Sequence, residues 1–310
     1  MMWRGFIVFS IWLLCGTANA DVLPLYDALR ATYTACVGID DELADLKTMA
    51  GINTAVTGVG TAAGVGATVT GFVKAEKDKQ IEVTLSKLRE LEQQNNLSIS
   101  TASEYEKWVV DFETLSTDNA ILTQIQNAVN ERNKLLNQSI KLGNWRTGLL
   151  AANTATNVAG AAIAGTNRVD ADLQTQIDNC ITAVTNLQNS IVQARIDGQD
   201  VTEAEQIATT CNEYKYVDIT PINNRGRNSM ISSIVGAATG LAGTVTSAVA
   251  NTEQTRSGDE QREKNLNTAS NVLSIGATTS SAVATVFNAT QIAAIKKVAD
   301  VASACTGVLR

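Results

Sequence analysis

The stretch Gly51-INTAVTGVGTAAGVGATVTGF-Val73 decides how the rest of the chain is read. It holds six glycines and five threonines, with neither a charge nor a proline. Gly60 and Gly64 stand four apart, with Gly58 beside them, and Gly236 and Gly240 repeat that spacing further on. Small residues at i and i+4 line one face of a helix and let a neighbouring backbone approach closely. Each glycine inside a helix costs about 1 kcal/mol against alanine. Six in one helix therefore need compensation, either from tight helix–helix packing (a glycine zipper) or from burial in a membrane.

Three further segments share this uncharged Gly/Ala/Ser/Thr/Val composition: residues 147–165, 230–250 and 272–295. Cysteines punctuate them in a regular order. Cys36, a small-residue segment, a polar insert, a second such segment and Cys180 make the first half, and Cys211 and Cys305 frame the second half in the same way. The chain is thus duplicated in plan.

Helix signals are good elsewhere and strand signals are weak. Only Pro24 and Pro221 interrupt 310 residues, and Val and Thr are scattered among Ala and Gly rather than alternating in bounded runs. Thr101-Ala-Ser-Glu104 reads as a capping box ahead of Tyr105, Val109, Phe112 and Leu115. Ile81, Leu85 and Leu88 form one apolar row, and Leu122, Ile125, Val129 and Leu136 another close to coiled-coil spacing. The expected fold is all-α: an elongated antiparallel helical bundle of two long hairpins, with Gly/Ala/Ser/Thr-rich packing segments. Residues 21–200 make the first hairpin with a polar tip at 74–146. Residues 201–310 make the second, with a turn near 257–259.

Residues 1–20 have the pattern of a cleaved signal peptide: Arg4, a short apolar run from Phe6 to Leu14, and Ala18-Asn19-Ala20 as the cleavage site. That run is well short of the ~20 residues of a membrane span. Leu14 before Cys15 is bulky where a lipoprotein signal needs a small residue. The expected destination is the periplasm, the cell envelope or the extracellular medium. Four cysteines remain beyond Cys15: Cys36, Cys180, Cys211 and Cys305. An even number in an oxidising compartment predicts two bridges. Both helices of an antiparallel hairpin rise equally per residue, so paired residues lie equidistant from the turn. The midpoint of Cys211 and Cys305 falls on Gly258, in a Ser-Gly-Asp turn. This favours Cys211–Cys305 and Cys36–Cys180. The rival, Cys180–Cys211 across the Asp197-Gly198 turn, leaves Cys36–Cys305.

The composition narrows function mostly by exclusion. The chain has no histidine, which removes the commonest metal ligand and the usual general base at neutral pH. Zinc would need all four cysteines, so no metal is expected. Net charge is −7 and no basic-aromatic row occurs, which argues against nucleic acid. Gly58-Val-Gly60-Thr-Ala-Ala-Gly64 has one residue too many for a dinucleotide loop and no preceding strand. Asp40-Asp41-Glu42 lacks the spacing of a calcium loop and reads as a solvated acidic turn. No catalytic residue, cofactor or small-molecule substrate is inferred.

The expectation is a non-enzymatic exported structural or interaction protein that binds a protein partner or itself. The alternative is a membrane-active helical protein, pore-forming or embedded. In that topology the 74–146 insert, with ten Lys and Arg, would be cytoplasmic. Seven strongly apolar residues in 51–73, worth roughly −3 kcal/mol, carry a weak drive for insertion. No family is recognised from motifs. Long helices with a weakly apolar, glycine-rich section are similar to helical pore-forming toxins, a compositional likeness over less than a third of the chain that transfers no residue.

Overall fold

The computed structural model describes residues 24–94, 119–256 and 260–310. The signal pattern, the capping box at Thr101 and the turn at Gly258 lie outside these residues. The described chain is an all-α bundle: α1 (Leu25–Cys36), α2 (Ile39–Gln94), α3 (Asn119–Thr166), α4 (Ala171–Ile196), α5 (Thr202–Cys211), a 3-10 turn (Asn212–Tyr216), α6 (Thr220–Arg256) and α7 (Glu260–Leu309). At 1.5 Å per residue, the 56 residues of α2 extend about 84 Å.

Local chemistry sets the breaks between these helices. Gly38, with φ +99°, separates α1 from α2, and Asp40-Asp41-Glu42 falls in the first turn of α2, where the helix dipole favours acidic groups. Gly198, with φ +75°, ends α4: its N–H donates to Arg195 and that of Gln199 to Ala194, a Schellman closure. Asp200 accepts from the backbone N–H of Thr202 at the start of α5, and Asp218 does the same for Thr220 at the start of α6. Pro221 sits in the first turn of α6, where a missing N–H is tolerated.

Two compact units form, and each draws on both halves of the duplicated chain. The first comprises residues up to Asp40, Ala171–Val217 and Asp300–Arg310; the second comprises Asp41–Asp170 and Asp218–Ala299. The first unit has an ordinary apolar interior that includes Ala28, Leu173, Ile177, Val184, Leu187 and Ile207. Both disulfides lie in it, and they are Cys36–Cys180 and Cys211–Cys305. Their Cα separations of 4.8 and 4.6 Å fall within the range a bridge requires. All four cysteines are fully buried.

The second unit packs α2, α3, α6 and the first forty residues of α7. Most of its buried positions follow one heptad frame on each helix, with Thr84, Leu135, Asn251 and Ala294 buried beside it. On α2 the frame runs from Ile39 and Leu43 through Asn53, Thr57, Gly60, Gly64, Ala67, Gly71 and Lys74 to Leu85 and Leu88, with alternating steps of four and three. A 3.5-residue period of this kind keeps one seam facing the partners along the whole helix.

Candidate functional site

The seam changes character along its length. At the 81–94 end of α2, Leu85 and Leu88 pack with Ile125 and Val129 of α3 in a conventional apolar core. Across the four small-residue segments the polarity is inverted. The buried polar positions there include Asn53 and Thr57 on α2, Asn153 and Asn157 on α3, Ser233 and Ser247 on α6, and Ser274, Ser281 and Asn288 on α7, interleaved with Gly and Ala and with only Leu150 and Ile295 as large buried apolar residues. The outward positions of the same segments are apolar. Val59 is 61 % exposed, Val158 57 %, Leu241 58 % and Val286 61 %. Seventeen Val, Ile, Leu and Phe side chains of these segments stand exposed in this way. At about 1 kcal/mol for each half-exposed side chain, water contact forgoes on the order of 20 kcal/mol.

Glycines make the polar interior possible by bringing the backbones together. A Cβ on Gly64 would lie 3.1 Å from Thr278 Cα, and one on Gly236 would lie 2.8 Å from Asn157 Oδ1. Gly60 packs against Thr156 and Asn153, and Gly240 against Thr154. Of the glycines singled out from the sequence, Gly60, Gly64, Gly236 and Gly240 are seam residues. Gly58 is not: a Cβ there would meet nothing within 4 Å, because position 58 falls out of phase with the 57/60/64 frame.

Asparagines and hydroxyls opposite the glycines then bond across helices. Asn53 donates to Asn288 Oδ1 at 3.0 Å, and Asn288 donates to Thr57 at 3.3 Å. Asn157 donates to Asn153 Oδ1 and to Ser281 Oγ, both at 2.7 Å, and Ser281 donates to Asn153 Oδ1 at 2.8 Å. Thr147 donates to Ser247 at 2.9 Å, joining α3 to α6. At the far end Gln291 donates to the carbonyls of Asn167 and Ile222, at 2.9 and 3.2 Å.

A buried charge cluster closes the seam where it meets the apolar core. Lys74, 1 % exposed, donates to Asp78 at 2.7 Å and to Glu263 at 3.2 Å. Ser139 and Asn267 also donate to Asp78. Burial pushes the Glu263 carboxyl above its ordinary range; Lys74 pulls it down and Asp78 pushes it further up. Arg146, fully buried beside Gly71, has no protein partner at Nε or Nη2. Periodicity read from apolar residues missed this cluster and the inverted seam. Carrying the frame of Ile39 and Leu43 forward in steps of four and three would have placed both.

The chemistry on offer is polar contact and charge. Cys36, Cys180 and Cys305 bring their sulfurs within 4.8 Å of one another, but each is committed to a bridge, so none is a thiolate ligand. Comparison with known proteins leaves the reading to this geometry: no family model, curated protein or solved structure matches the chain.

Proposed function

We propose that this chain is a non-enzymatic, membrane-embedded four-helix protein whose disulfide-bonded unit lies on the oxidising side of the bilayer. The observation that carries the reading is the inverted polarity of the four small-residue segments, set against the ordinary polarity of the same helices beyond them. In water the seam would be expected to hold the apolar side chains. In hydrocarbon, small residues and interhelical hydrogen bonds are what hold helices together.

Dimensions agree with a bilayer. The outward apolar band runs from Ile52 to Val73 on α2 and from Ile231 to Val249 on α6, about 32 and 27 Å against ~30 Å of hydrocarbon. None of the four segments contains a charge, and Lys74, Arg146, Arg168, Arg227 and Lys296 border them. Trp145, 70 % exposed, stands at one edge of the band, where aromatic residues favour the interface. The stretches Leu25–Leu91 and Thr220–Thr252 each contain a window of mean hydropathy 1.4, of which only 28 % and 33 % is buried. The segments of α3 and α7 are more polar because their seam faces carry Asn and Ser, and they would enter with their hairpin partners. Orientation rests on the disulfides and the signal pattern. The two ends of the segments carry thirteen and ten Lys and Arg, too even a division to decide it.

Two measurements test this. After alkaline carbonate extraction the full chain should remain in the membrane pellet; release into the supernatant sinks the proposal. Val59→Lys and Leu241→Lys should each cost about 2.5–3.5 kcal/mol, as charges in hydrocarbon do, whereas such changes on a water-facing surface stay within about 0.5 kcal/mol.

A further inference from the structure

Resting on that membrane reading, we propose that the seam of the four-helix bundle is a proton pathway, hydrated along its polar side chains and interrupted at Leu150. Several fully buried seam atoms have no protein partner. Asn53 Oδ1, Asn153 Nδ2, Asn157 Oδ1 and Gln291 Oε1 lie on one side of Leu150, and Arg146 Nε and Nη2 on the other. An unpaired polar group in hydrocarbon costs several kcal/mol, so such a seam recruits water, and each buried water needs two to four polar neighbours of the kind present here. Water molecules and Ser and Thr hydroxyls relay protons without an open lumen, while the Asn amides hold and orient those waters and transfer no proton themselves, which suits a bundle whose glycines draw the backbones close. A proton taken up at one end displaces another at the far end, so no group is consumed.

Leu150 breaks this column. It is fully buried, lies against Gly243 (3.6 Å from a Cβ there), and stands one helical turn from both Arg146 and Asn153. Among the seam positions of the four segments the bulky apolar side chains are Leu150, in the middle of the column, and Ile295, at the very end of the fourth segment; the others are Gly, Ala, Ser, Thr, Asn and Gln. An apolar constriction in a polar path blocks passage by excluding water. Beyond Arg146 the column ends at the Asp78–Glu263 carboxylates, where the part-buried Glu263 holds a proton more readily than a fully exposed glutamate.

The test uses the full-length protein in phosphatidylcholine vesicles, with a pH dye inside and an imposed potential. Leu150→Ser and Leu150→Ala should conduct protons at least about tenfold faster than the wild type and than Leu150→Ile, which conserves volume, while trapped calcein stays inside. Adding Asn153→Leu to Leu150→Ser should restore the slow rate. Equal rates for Leu150→Ser, Leu150→Ala and Leu150→Ile, in vesicles whose protein resists carbonate and keeps both disulfides, would overturn the pathway and leave the membrane reading standing. Calcein loss matching the proton flux would overturn it too. A wild type released by carbonate fails the membrane reading itself.

Discussion

Gly64→Ala offers a sharp test of the close-packed seam, with Gly58→Ala as its partner. At Gly58 a new methyl meets nothing within 4 Å, so the variant gains helix propensity alone, up to about 1 kcal/mol. At Gly64 the same methyl would lie 2.5 Å from Thr278 Oγ1, 2.8 Å from Asn153 Nδ2 and 3.1 Å from Thr278 Cα. The hydroxyl and the amide can turn away, at the expense of their hydrogen bonds. The Cα belongs to the backbone of α7 and cannot. Overpacking of this kind costs typically 1–3 kcal/mol, which offsets or outweighs the gain in propensity and leaves Gly64→Ala up to about 2 kcal/mol less stable than the wild type. The two alanine variants should then differ by about 1–3 kcal/mol, or roughly 2–6 °C in Tm for a chain of this size. Thermal unfolding followed by far-UV circular dichroism reads that gap. If both variants stabilise to the same extent, α2 and α7 do not approach at Gly64 and the packing argument fails.

Lys74→Met removes the buried cation from the part-buried Asp78 and Glu263, which are 24 % and 17 % exposed, and should cost about 1–3 kcal/mol in chemical denaturation; unchanged or raised stability would mean that the ion pairs hold nothing together. Glu263 has a raised carboxyl pKa in the fold, so the folded state holds that proton more tightly than the unfolded one. Its stabilising share is complete below about pH 4.3 and is lost as pH climbs through the raised value, with a slope of at most about 1.4 kcal/mol per pH unit. Stability profiles of wild type and Glu263→Gln should therefore diverge across mildly acidic pH, and parallel profiles would contradict the burial. The Tyr214 hydroxyl is buried without a hydrogen-bond partner, so Tyr214→Phe should be neutral or stabilising by up to about 1 kcal/mol; a clear loss would reveal a partner. Reducing Cys211–Cys305, whose partners are 94 residues apart, should lower stability by as much as ~4.7 kcal/mol, and an unchanged melting curve in reductant would show the bridge to be idle.

Much of the architecture is written openly in the residues. The scarcity of proline and the rows at Ile81–Leu88 and Ile125–Val129 announce long helices. The spacing of Cys211 and Cys305 about Gly258 and the position of Gly198 point to one bridge and one turn. The seam is harder to read because the usual signal is inverted there. A search for the buried face follows Val59, Val69 and Phe72, which the structure leaves exposed, and passes over Asn53, Thr57 and Gly60, which it buries. The frame is fixed only by the conventional residues at either end, Ile39 and Leu43 before it and Leu85 and Leu88 after it, so the middle is legible only by counting through. Lys74 and Arg146 hide for a related reason. As charges bordering apolar segments they look like solvated flanks, and only the pairing of three helices at that level encloses them.

The two bridges also fix the covalent topology of the molecule. Cys36–Cys180 closes a ring of chain around the first hairpin, and Cys211–Cys305 closes one around the second. A single backbone cut anywhere inside either ring opens a loop without releasing a fragment. Such a nicked chain would migrate as one species until reductant is added, and would then fall into pieces whose sizes give the cut site. Each ring therefore gives its hairpin a tether independent of noncovalent packing, and a protease cutting within residues 95–118 would leave the fragment bearing α1 and α2 joined to the one bearing α3 and α4 through Cys36–Cys180.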